Sequence, residues 1–321
     1  MLLTIADANA LIARGAPLII AGSRESLAAL APGPWIGGSI PYFMDRDGGR
    51  CDRTRVFVDE IALPVVRWTV QTYSPETLKR IASDAFANGF SYVIIPANGA
   101  THLEYAMHAP RYPEIFMKPV IGWISGVHLD DREVEKPIVV DGRTGTVLSS
   151  EAIVLHVELP AESQVMVHTV NLFEPGSGPS LRFIETGFSA STVLLNGQAV
   201  NIARYMIDHA WDARVPLVAD YAGTNVNVSV RSIDEAAGRV DFYAPVFPDI
   251  DYRAAAPVGN YVEMFAKHVP AGVRPVLSCN CILNYVYGGL EGKRTGPFTG
   301  PVTFGEIAHQ LVNQTLVYLA A

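Results

Sequence analysis

Glycine at 27 positions and proline at 22, scattered through 321 residues, leave few stretches in which a helix or strand could run far before meeting a breaker. That distribution predicts many short elements joined by tight turns. With 49% hydrophobic residues the chain can still bury one large core or two smaller ones, so it is globular and not disordered.

In the first half, helix and strand patterns alternate. Thr4 with Asp7 has the capping-box spacing and Gly15 stands where a helix-ending glycine belongs, which predicts a helix between them. A strand over 17–21, a short helix over 24–30 and a strand over 35–43 carrying Gly37-Gly38-Ser39 follow. Ser74, Pro75 and Glu76 read as a helix start, with Leu78, Ile81, Ala82, Ala85 and Phe86 on one face and Gly89 at the end. Next come a buried strand at 92–96, the loop Ala97-Asn98-Gly99-Ala100, a helix over 101–109, a strand over 119–127 and a hairpin around 141–145.

From residue 151 strand patterns dominate, with Ile153, Leu155, Val157 and Leu159 alternating with other residues. This shift predicts two pseudo-domains, 1–150 and 151–321. Within the second, 225–233 and 239–244 form the best hairpin, a helix opens at Pro257, 274–281 is a buried strand and 284–305 a long loop. Ile307, Leu311, Leu316 and Leu319 predict a closing amphipathic helix that starts at Glu306. The expected fold class is mixed α/β, with mixed and antiparallel sheets flanked by helices.

A net charge of −8 without clustered lysine or arginine argues against a nucleic-acid partner. The apolar runs are shorter than the roughly 18 residues that a membrane helix needs, and the first cation, Arg14, follows the first apolar stretch, so neither a membrane span nor an export signal is expected. Three cysteines, Cys51, Cys279 and Cys281, favour free thiols in the cytoplasm. No phosphate loop, dinucleotide fingerprint or nucleophile elbow is present; Ser125 has Gly122 and Gly126 at the wrong spacing. Cys279-Asn280-Cys281 lacks zinc spacing, and His102 and His108 point to different helix faces. No catalytic set and no metal site is therefore assigned. His156 and His168 read as ordinary strand residues and Asp130-Asp131 as a solvated turn.

The strongest local signal is Ser278-Cys279-Asn280-Cys281 at a strand end, followed by a glycine-rich loop and Phe304-Gly305-Glu306-Ile307. Polar side chains leaving a buried strand are held rigidly, and a helix start offers free N–H groups, although the Glu306 carboxylate could occupy them itself. Gly38, Ser39 and Asn98 also lie at strand ends, where α/β sheets bind ligands. The expected ligand-binding set is Gly38, Ser39, Asn98, Ser278, Cys279, Asn280 and Glu306, with Asn280 and Glu306 meeting in a polar cavity. Two alternatives are a cysteine-dependent enzyme, with Cys279 or Cys281 served by His268 or His309, and a haem site with His102 or His108 as axial ligand.

The C-terminal part resembles the FIST sensory family. The resemblance rests on Leu194-Leu195-Asn196-Gly197-Gln198, on 240–248 followed by Asp251-Tyr252-Arg253, on Ser278-Cys279-Asn280, and on Phe304-Gly305-Glu306-Ile307 with Asn313-Gln314-Thr315, in that order over 190–320. Trp35-Ile36-Gly37-Gly38-Ser39 and Pro119-Val120-Ile121-Gly122-Trp123 match it less specifically. The resemblance implies a stand-alone sensory protein that binds a small ligand, an amino acid or small carboxylate, with haem known in some members. It implies no reaction, a separate signalling protein as partner, and allows a homo-oligomer.

Overall fold

The computed structural model describes residues 1–321 apart from Ala222 and Ala271. Its backbone is mixed α/β, with short helices against several sheets. The first sheet places Leu18–Gly22 beside Trp35–Ser39 in parallel, between Val56–Glu60 on one side and Val139–Asp141 on the other. The second pairs Gly89–Pro96 in parallel with Val120–Ser125 and continues through Ala152–Glu158 to Arg67–Tyr73. In the third, Leu277–Cys281 lies between Thr315–Ala320 and Gly300–Thr303, and Gly300–Thr303 also pairs with Tyr42–Asp45.

One core cluster runs through all three sheets, taking Ile36 from the first, Ile94 and Trp123 from the second and Cys279 and Val317 from the third. The first two sheets press together at Gly38. A Cβ there would lie 2.6 Å from Trp123 Cη2 and 2.7 Å from Ile94 Cγ2, so a hydrogen is all the space admits.

The boundary expected at residue 150 does not divide these sheets. Ala152–Glu158 sits between two strands of the first half, and Tyr42–Asp45 completes a sheet of the second. Residues 181–254 do supply the strands of two further sheets, of six and three strands, whose separate core holds Phe183, Phe242 and Tyr252. Asn171 and Asn227 join that part to the rest through a reciprocal amide pair, 2.9 Å each way.

Several elements form as their local signals dictate. Thr4 caps Ile5–Ile12 by accepting from the Asp7 N–H, and Asn196-Gly197 turns Thr192–Leu195 back on Gln198–Asn201, both residues having positive φ. Two expected helices do not form. Around Ser74 the chain makes only the 3₁₀ turn Leu78–Arg80 among other turns, with N–H groups of Thr77, Arg80 and Ile81 bonding three residues back. Those tight turns still deliver Leu78, Ile81 and Ala82 to the core.

The closing segment is three strands, Glu306–Ala308, Gln310–Val312 and Thr315–Ala320. His309 and Gln314 have φ values of 62° and 54°, left-handed positions that interrupt any helix. The long loop after residue 284 is likewise shorter than expected, because the helix Ile282–Tyr287 and the strand Gly300–Thr303 occupy its two ends.

Candidate functional site

Asn280 and Glu306 do not touch directly; the Thr303 hydroxyl links them in a buried hydrogen-bonded knot, where the sequence leads one to expect a polar cavity. The Thr303 hydroxyl lies 3.3 Å from both the Asn280 carbonyl and Glu306 Oε1. Glu306 Oε2 accepts from the Thr315 hydroxyl at 2.8 Å and from the Thr315 N–H at 3.3 Å. Glu306 begins a strand and not a helix, so no helix N–H groups surround it. Burial without a cation pushes its carboxyl up to about 8, against the pull of the Thr315 donors, and leaves it largely protonated at neutral pH.

Cys279 and Cys281 share that interior. Each thiol is pushed well up by burial and then by Glu306, and the Cys279 thiol donates to the Gly122 carbonyl at 3.4 Å. Among the described residues neither His268 nor His309 is hydrogen-bonded to either thiol: His268 is exposed with Nδ1 2.9 Å from the Met264 carbonyl, and the His309 ring sits 5.8 Å from Phe116. Asn280 Oδ1 accepts from the Cys281 N–H and from Asn284 Nδ2. These side chains brace the junction of two sheets.

The other expected residues scatter. Gly38 serves sheet packing. Asn98 is exposed with φ 64°, and its N–H donates to His102 Nδ1 at 3.2 Å. The His102 ring is buried, which lowers its pKa to about 4. Ser278 donates to the Thr299 carbonyl at 2.8 Å and forms one wall of a surface cleft.

Ser39 belongs to a different and larger cleft of about 350 Å³. The parallel strands Leu18–Gly22 and Trp35–Ser39 end side by side at Gly22 and Ser39. After Gly22 the chain turns at Ser23, which caps Arg24–Ala28 by accepting from the Ser26 N–H. The Ser39 hydroxyl donates to the Gly126 carbonyl at 2.8 Å and accepts from the Ile138 N–H at 2.9 Å. It thereby ties the end of the first sheet to the loop after Val120–Ser125 and makes the cleft floor.

Charge lines that cleft. Arg53 pairs with Asp131 at 2.8 Å, whereas Arg24 Nε stands 3.7 Å from Glu135, beyond good hydrogen-bonding distance, and its Nη2 donates to the Lys136 carbonyl. Burial first, then the nearby Glu25 charge, raises the Glu135 carboxyl, with Arg24 acting the other way. His128 stacks on Tyr42 at 5.4 Å between ring centres. Asp131, read from the sequence as part of a solvated turn, is an ion-paired wall residue here.

Arg24, Glu25, Arg53, His128 and Glu135 were not visible as a set in the sequence. They come from three separate segments, around 24–25, 53 and 128–135. The only local signal was that two strand patterns stop at polar turns near Ser23 and Ser39, which marks a cleft mouth without naming its charged lining.

Fold and cleft together define a mixed α/β protein with a charged depression at the carboxyl ends of two parallel strands. The chain belongs to DUF6976, a family of unknown function, whose profile matches residues 3–321. The resemblance to FIST does not hold: the DUF6976 match runs through the whole of 190–320, and no FIST match accompanies it. The motifs behind that resemblance are general turn and strand signals. The sensory role and the signalling partner rested on that likeness and lose its support. No curated protein and no solved structure matches the chain. Among the described residues, no helix is long and apolar enough to cross a membrane, and no group of three or more His, Cys, Asp or Glu is placed to hold a metal ion.

Proposed function

We propose that this protein binds a small molecule carrying both a carboxylate and an amine, of the amino-acid class, in the cleft floored by Ser39. The observation that carries the reading is the mixed charge of that cleft. Arg24 and Arg53 share it with Glu25, Asp131 and Glu135, within about 350 Å³. That volume suits a compact polar ligand. Glu135 is disfavoured as an anion by burial and by Glu25, and an arriving ammonium relieves both effects. The Arg24 guanidinium, anchored through Nη2 on the Lys136 carbonyl and only 3.7 Å from Glu135, keeps further N–H groups to offer a ligand carboxylate.

A cytoplasmic location is part of this proposal. The free thiols Cys51, Cys279 and Cys281 support it, Cys51 being exposed.

Thermal unfolding with single amino acids, with carboxylates lacking the amine and with amines lacking the carboxylate tests the function. A ligand at a hundredfold its Kd adds about 2.7 kcal/mol of stability. The expected result is that at least one amino acid stabilises the protein, that neither half-molecule does so as strongly, and that Glu135→Gln weakens the effect. If none of the three classes shifts the transition, the proposal is wrong.

A further inference from the structure

A second cleft, of about 270 Å³, opens where Val56–Glu60 of the first sheet approaches the start of Leu277–Cys281, and it shares no lining residue with the cleft over Ser39. Its polar lining includes Asp59, Arg274 and Ser278, and Pro275, Val276 and Pro297 supply apolar surface.

Strand alternation decides where Asp59 points. Val56 and Val58 pack into the core beneath the helix Ile5–Ile12, while Phe57 packs into the core shared by three sheets. Asp59 shares the Phe57 side and faces inward, close enough for its charge to act on Tyr92 and Cys279. Among the described residues its carboxylate accepts no hydrogen bond and pairs with no arginine, lysine or histidine. The one opposing charge acting on it is the Met1 ammonium, which donates instead to the Val58 carbonyl at 2.6 Å.

Other sequestered carboxylates in this protein have partners: Asp141 is held by Arg143 at 2.7 Å, and Glu306 by two threonines. Asp59, half-buried on the cleft wall, has none, although withdrawing an unmatched carboxylate from water is costly. Burial accordingly lifts it to about 7. Arg274, exposed on the same cleft, likewise makes no ion pair or hydrogen bond among the described residues.

We infer that this cleft receives a primary amine on a short apolar stem, with the ammonium on Asp59 and the stem against Pro275, Val276 and Pro297. An acidic group at the far end of the stem meets Arg274. The ammonium favours the ionised carboxylate, so uptake just below neutral pH expels a proton from Asp59.

Calorimetric titration of the full chain with n-butylamine, aminopentanoate and pentanoate tests this, in buffers of different ionisation enthalpy. All proteins compared carry Glu135→Gln, which weakens amine uptake over Ser39 equally in each of them. The two amines should bind with proton release and pentanoate should not bind. Asp59→Asn, nearly isosteric, should weaken both amines by about tenfold or more, and Arg274→Gln should weaken aminopentanoate alone. The inference is overturned if neither amine binds, if they bind without releasing a proton, or if Asp59→Asn binds them as tightly as its parent. None of these results bears on amino-acid uptake over Ser39, which the thermal experiment reads in the unsubstituted chain.

Discussion

The Thr315 hydroxyl donates to Glu306 Oε2 at 2.8 Å in an interior where no arginine, lysine or histidine of the described residues pairs with that carboxylate. Hydroxyl and amide donors soften the burial of a carboxylate, but the proton does the rest. The folded protein therefore holds a proton on Glu306 that the unfolded chain gives up at ordinary acid pH.

The sign of the resulting pH dependence follows. The folded pKa of Glu306 is about 8 against an unfolded value of 4.5, so its contribution to stability is complete below about 4.5 and is lost as pH rises through about 8. Above about 6.5, where the buried histidines add no slope, urea midpoints should fall as pH rises. Glu306→Gln should flatten the decline by an amount on the order of a few kcal/mol at its alkaline end. An unchanged slope in the variant would show that the carboxylate is accommodated without cost.

His156 gives the opposite dependence. Its ring, fully buried, lies 2.8 Å from the Ser91 hydroxyl and 2.9 Å from the Tyr73 hydroxyl, and burial lowers its pKa to about 4. The unfolded chain takes up a proton near 6.5, so stability drops as pH falls from there toward about 4. His102, lowered in the same way, adds a similar drop. His156→Gln, which keeps a donor and an acceptor, should remove part of the acid-side loss, measured by urea unfolding at mildly acidic and at neutral pH.

Gly38→Ala sets a Cβ against Trp123 and Ile94 at under 3 Å and should cost about 1–3 kcal/mol through forced movement of two packed sheets. Gly178→Ala is the control. Nothing lies within 4 Å of a Cβ there and φ is ordinary, so the change should be neutral or stabilise by about 0.4–1 kcal/mol. Thermal melts of the two variants should move in different directions or differ clearly in size.

Ser39→Ala removes the acceptor of the buried Ile138 N–H and the donor to the Gly126 carbonyl. An unsatisfied buried N–H costs about 1–3 kcal/mol. Because the same hydroxyl holds the cleft floor together, any stabilisation by amino acids should weaken in this variant beyond what its lower melting temperature accounts for.

Where an element depends on neighbours in sequence, the chain could be read directly. The Thr4 cap, the turn at Asn196-Gly197 and the strand ending at Cys281 are each specified within a few residues. The segment after Gly305 could not be read that way. Thr315–Ala320 is buried almost throughout, so it has no polar face to reveal a two-residue period, and leucines at near-helical spacing imitate a helix. The sequence also shows a change of texture near residue 150 without showing that strands from both sides pair, because pairing partners can lie a hundred or more residues apart.

Local chemistry in the chain thus settled a mixed α/β architecture of short elements and pointed to a meeting of Asn280 with Glu306, which the structure makes only through Thr303. It could not settle whether that meeting point was a cavity or a knot, nor that Arg24, Arg53 and Glu135 would surround Ser39. Those outcomes depend on which distant strands lie side by side and on how much water their packing excludes. Burial is a property of the assembled sheets, and it is burial that turns Glu306 into a held proton and leaves Asp59 facing a cleft without a partner.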